Sequence, residues 1–106
     1  MRRGRTADAL ASLSRAVELA PSSARYAYVY GVALNSAGAG DRALGILKTG
    51  HDRHPGDPDI LVALVTINRD RGARGAVRDY ARKLLQAAPE LPVARRLSQE
   101  LDPAPR

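Results

Sequence analysis

His51 and His54 lie three residues apart with Asp52 between them, a spacing at which two imidazoles share one side of a helix and could begin a metal site. Such a site needs three or four converging ligands, and convergence of that many is not evident in the sequence. Polar and cationic groups are also favoured near a helix C-terminus, so the pair is read as helix-end chemistry and no metal is expected. Arg71, Arg74, Arg78 and Arg82 recur at steps of three and four with Lys83 beside them, which lines them up on one face of a helix. A basic stripe of this kind could attract nucleic acid or an acidic protein. Asp70 and Asp79 partly neutralise it, and Tyr80 alone offers no row of aromatic faces for stacking bases. The stripe is expected to be a solvated convex surface, and nucleic acid is disfavoured as a partner.

The segment Gly38-Ala39-Gly40-Asp41 lacks the spacing and the Lys of a phosphate-binding loop. Ser, His and Asp residues occur, but nothing gathers them into a triad. The chain is expected not to be an enzyme and to require no cofactor.

The elements that position these residues are bounded first by composition. The chain has 106 residues, 44% of them hydrophobic and 26% charged, an ordinary globular balance and a length that points to one domain. The absence of Cys excludes disulfides, thiol catalysis and thiolate metal sites. No apolar stretch approaches the roughly 20 residues of a membrane span, and the start lacks the apolar core of a secretory signal. A cytoplasmic home is the default expectation, a periplasmic one if this stretch belongs to an exported protein. The net charge of +6 suits an anionic partner.

A period of 34 residues runs through the chain. Pro21, Pro55 and Pro89 follow it, and so do Gly4, Gly38 and Gly72. Ala9, Ala43 and Val77 share the register, as do Leu13, Leu47 and Ala81. Between these marks the apolar spacing predicts helix, turn, helix. Ala27, Tyr30, Val32, Ala33, Leu34 and Ala37 form one stripe. Gly38 and Gly40 are expected to make the turn and Asp41 to cap the next helix, whose apolar face is Ala43, Leu44, Ile46, Leu47 and Gly50. Asp57 followed by Pro58 is a helix start, continued by Leu61, Leu64, Val65 and Ile67 to Gly72. Val77, Ala81, Leu84, Leu85 and Ala88 predict the second helix of that pair, and Ala9, Leu10, Leu13, Ala16, Val17 and Ala20 a helix whose own first partner is missing. Val93, Ala94, Leu97 and Leu101 form a last stripe, with Arg95, Arg96, Ser98, Gln99 and Glu100 largely opposite, as in a terminal helix with one wet face. Tyr26 to Tyr30, YAYVY, alternate like a strand, but no partner strand is visible and the period assigns them to a helix.

These residues resemble the tetratricopeptide repeat, with its pattern W-x2-L-G-x2-Y, A-x3-F, P over 34 positions. The middle copy has Ala27-x2-Tyr30-Gly31-x2-Leu34, then Ala43-x3-Leu47, then Pro55. The next has Leu61-x2-Leu64-Val65-x2-Asn68, then Val77-x3-Ala81, then Pro89, and loses the helix-contact Gly and the small Ala. The resemblance implies an all-α, right-handed α-solenoid of antiparallel helix pairs. The parts are the second half of a repeat at 4–21, a full repeat at 22–55, a degenerate one at 56–89, a capping helix at 90–101 and a tail at 102–106. The stretch also looks like the C-terminal repeat block of larger bacterial proteins.

The family's members bind peptides or protein segments in a concave groove lined by the first helix of each pair. The corresponding positions here are Arg25, Tyr28, Val32, Asn35 and Ser36, then Asp59, Val62, Thr66, Arg69 and Asp70, with Tyr28 as anchor because aromatic side chains dominate interface contacts. The family's carboxylate clamp is not matched: Tyr28, Val32, Asp59 and Ala63 stand where its Lys and Asn residues would be, and binding of chaperone C-termini is disfavoured. The function implied is a non-enzymatic protein-interaction scaffold. The alternatives are nucleic-acid or acidic-partner binding through the Arg stripe, and a structural spacer or dimerisation block. Upstream repeats or self-association are expected to cover the N-terminal helix.

Overall fold

The computed structural model describes residues 3–101, apart from the side chains of residues 3, 4, 98 and 101. Six helices account for the regular structure among them: α1 (Arg3–Leu19), α2 (Ala24–Ser36), α3 (Gly40–Arg53), α4 (Pro58–Asp70), α5 (Arg74–Ala87) and α6 (Pro92–Leu101). The fold is all-α, and YAYVY lies inside α2. Helix bounds repeat with the period: α2 and α4 begin 34 residues apart and end 34 apart, as do α3 and α5, and α6 begins one further step on. α6 thus occupies the register of a first helix.

The chain divides into two compact units, 1–55 and 56–106. In the first, α2 packs on α3 and on α1. The buried face of α2 is Ala27, Tyr30, Gly31 and Leu34, and that of α3 is Ala43, Leu47 and Gly50. Gly31 allows the close approach: a Cβ built on it would stand 2.5 Å from Leu47 Cγ. Tyr30 is 4% exposed and keeps its hydroxyl bonded, because the Arg42 guanidinium donates to it at 3.0 Å, as a buried phenol requires. The turn before α2 is held from the far end of α3. Arg53 donates to the Pro21 carbonyl at 2.8 Å and His54 Nε2 to the Ser22 carbonyl at 2.6 Å.

In the second unit, Leu61 and Val65 of α4, Val77, Ala81 and Leu84 of α5, and Ala94 and Leu97 of α6 form one buried cluster. The sequence makes this copy look degraded, since Val65 replaces the contact glycine. The structure shows a size exchange instead: at the two register positions where unit one sets Gly31 against Leu47, unit two sets Val65 against Ala81, and both are buried. Asn68 stands where unit one has Leu34; it is buried, and its amide donates to the Leu64 carbonyl at 2.8 Å, which satisfies the polar group locally.

Several local expectations need correction. Asp41 does not cap α3: the N-cap is Ala39, without a side-chain bond, and Asp41 sits in the first turn, where a negative charge suits the helix dipole. Gly40 opens α3; the left-handed backbone falls on Gly38 (φ 85°) and, one period later, on Gly72 (φ 74°). Val32 and Ala37 are exposed rather than part of the core stripe, because the helix step carries them off the α3-facing side. Arg71 is the C-cap of α4, so it lies outside α5 and the four-residue Arg stripe is not continuous on one helix. Leu101 of the α6 stripe and the tail 102–106 lie outside the described side chains.

The start of α4 follows the sequence: Asp57 is the N-cap, its carboxylate accepts from the Ile60 amide at 3.0 Å, and Pro58 takes the first helical position. Asp57→Ala is expected to cost about 1 kcal/mol in urea unfolding, and Asp57→Asn, which keeps the acceptor, a few tenths at most. Equal losses for the two variants would show that the cap bond is not the source.

Candidate functional site

The ten positions expected to line a groove lie on α2 and α4, exposed or half-buried. On α2, Arg25 lies over the ring of the half-buried Tyr28 with its guanidinium carbon 5.9 Å from the centroid, at the outer edge of cation–π distances. Val32 is exposed on the same helix, Asn35 is half-buried, and Ser36 is exposed. Ser36 borders an apolar cleft of about 330 Å³ between α1 and α2, whose walls include Ala9, Leu10, Ala33 and Ala37. None of the apolar residues of α1 is fully buried, and Leu19 is 77% exposed.

In the second unit the site is built from α4, α5 and α6. Leu97 and Ala94 anchor α6 in the buried cluster, which leaves Arg95, Arg96, Gln99 and Glu100 exposed. Between α4 and α6 runs a cleft of about 250 Å³ lined by Val62, Val65, Thr66 and Arg69 on one side and Val93, Arg96, Leu97 and Glu100 on the other. Thr66 turns its hydroxyl back to the Val62 carbonyl at 2.9 Å. At the end of this cleft the Arg69 guanidinium meets the Glu100 carboxylate at 3.6 Å. Beyond that pair a second cleft, of about 560 Å³, is lined by Gly72, Arg74, Val77 and Arg78 together with the same Arg69, Leu97 and Glu100. The two clefts thus share a floor at Leu97 and an ionic bar at Arg69–Glu100.

Val62, Thr66 and Arg69 are therefore brought together in one cleft, whereas Asp59 and Asp70 are exposed on α4 and line neither. Arg74 and Arg78 face the second cleft; Arg71 and Arg82 do not line it. Lys83 packs over the Tyr80 ring at 5.5 Å, away from both clefts. The contribution of α6 was not foreseen. Its signal was available in the period: one step of 34 beyond Val62 and Thr66 stand Arg96 and Glu100. Among the described residues no group of three His, Asp or Glu could hold a metal ion, and His54 is committed to the Ser22 carbonyl. No helix among them is long and apolar enough to cross a membrane.

Residues 1–66, more than half of the chain, match a family model described as tetratricopeptide repeat. No curated protein matches the chain.

Proposed function

Because this chain belongs to the tetratricopeptide repeat family, whose repeats generally mediate protein–protein interaction, we propose that it holds a peptide or protein segment against the exposed faces of its first helices. The observation that supports this most directly is the α4–α6 cleft. It has an apolar floor of Val65 and Leu97 beneath a rim of Thr66, Arg69, Arg96 and Glu100, the mixture of buried apolar area and orienting polar groups that recognition sites use. Tyr28 on α2 supplies an amphipathic ring, with Arg25 over it, of the type enriched among dominant contacts. In this reading residues 22–55 and 56–89 are the two full repeats, and within the second unit α6 adds its face to that of α4. The chain acts as a scaffold, without chemistry of its own.

The test is capture of partners from native lysate by the wild-type chain and by a Tyr28→Ala/Arg69→Ala variant of unchanged helicity. Both substitutions are at accessible positions, so folding is expected to survive them. The proposal expects proteins held by the wild type to be lost from the variant. Capture of the same proteins in the same amounts by both would remove the first-helix faces as the binding surface.

A further inference from the structure

The two clefts of the second unit form one trough with the Arg69–Glu100 pair across it, and its charge is lopsided. Four guanidinium groups, Arg69, Arg74, Arg78 and Arg96, line the combined surface, and Glu100 is its one carboxylate among the lining residues described. Glu100 reaches Arg69 at 3.6 Å with both side chains 53% exposed, so the pair is solvated, weakly held and open to exchange. Beneath it lie Val77 and Leu97, apolar and buried.

We infer that this trough binds an acidic–apolar protein segment, and that Glu100 acts as an internal stand-in for the ligand's carboxylate. An incoming Asp or Glu would replace Glu100 on Arg69 and gain Arg74 and Arg78 beyond the bar, while a neighbouring apolar side chain settles on Leu97. Charge-assisted bonds from Arg are the strong ones for carboxylates, and an exposed intramolecular pair costs little to open. The chemistry favours a peptide over a nucleic acid. Among the lining residues described no aromatic ring is present to stack a base, and the floor is aliphatic. The earlier reading of a simple Arg stripe is thereby divided: Arg74 and Arg78 belong to the trough, and Arg82 does not. The inference rests on the proposed first-helix binding face and names the chemistry of what it binds.

Fluorescence anisotropy of the full chain with a short labelled peptide of alternating Leu and Glu tests it, with a Leu–Lys peptide of equal length, a dT homopolymer and a DNA duplex as comparison probes. The Leu–Glu peptide is expected to bind and the Leu–Lys peptide not. Glu100→Gln should tighten the Leu–Glu complex about threefold, Arg74→Gln/Arg78→Gln should weaken it about tenfold, and Arg82→Gln should leave it unchanged, with binding falling as salt rises. Hydrogen exchange across α6 verifies that each variant keeps that helix docked. The inference is overturned if Glu100→Gln has no effect or weakens binding, if Arg82→Gln costs as much as the Arg74/Arg78 pair, or if the oligonucleotides bind tighter than the peptide. Loss of lysate partners on Tyr28→Ala/Arg69→Ala, combined with a Leu–Glu peptide indifferent to all these variants, would leave the first-helix face standing and remove this assignment alone.

Discussion

Gly31→Val is expected to destabilise the chain by about 1–3 kcal/mol through overpacking, and adding Leu47→Ala to the same molecule to recover most of that loss. A Cβ at position 31 would lie 2.5 Å from Leu47 Cγ and 2.7 Å from its Cδ2. The clash is at the branch point of a side chain with no exposed surface, so no free end can swing aside, and the helices must separate. The small gain in helix propensity from replacing glycine, a few tenths of a kcal/mol, is too weak to offset this. Leu47→Ala alone should cost about 2–5 kcal/mol because it leaves a cavity. Together the two changes recreate the arrangement that the second unit already uses, Val65 facing Ala81 with both buried. Urea unfolding of the wild type, both single variants and the double completes the cycle: the double is expected to be more stable than either single variant, a non-additivity at least as large as the loss from Leu47→Ala alone. Additive losses would show that the two positions do not share one packing volume.

The same pair shows what a sequence discloses and what it withholds. Helix number, order and bounds were legible because proline, glycine and apolar residues mark a 34-residue step, and each mark reflects a local constraint: Gly38 and Gly72 take the left-handed backbone, and Asp57–Pro58 starts a helix. Compensation between positions was not legible. Val65 looked like the loss of a contact glycine until Ala81 was seen opposite it, because size matching is a property of two residues on different helices. Caps that depend on the backbone path failed for a related reason: Asp41 is suitable by type, but α3 starts at Gly40, two residues too early for it. His51 and His54 invited a metal reading through spacing alone, whereas His54 works with Arg53 to hold the Pro21–Ser22 turn. That tie has no counterpart one period later, where Ala87 and Ala88 occupy the positions. For the candidate site, the sequence pattern puts Val62, Thr66 and Arg69 on one side of α4, and they line one cleft; the share of α6 in that cleft is less legible, because a polar helix at the end of the repeats reads equally as a cap.

Leu84→Ala is expected to have the largest effect on the second unit, about 2–5 kcal/mol against net domain stabilities of about 5–15 kcal/mol. Leu84 has no exposed surface, and it shares one cluster with Leu61 and Val65 of α4 and with Ala94 and Leu97 of α6. Removing its branched end therefore leaves a void against two helices at once. α6 is held mainly through that cluster: Ala94 and Leu97 are its fully buried residues among those described, Val93 packs beside them half-buried, and the exposed Arg69–Glu100 pair is worth no more than about 1 kcal/mol. Hydrogen exchange should accordingly speed up across α4 to α6, most in α6, and the trough should lose its affinity for the Leu–Glu peptide although no lining residue has been changed. Leu84→Ile, which keeps the volume, should cost less than about 1.5 kcal/mol and keep that affinity. If Leu84→Ala left α6 protected and the peptide bound as before, the floor at Leu97 would not depend on the α5 core, and the physical link from buried cluster to binding face would be broken.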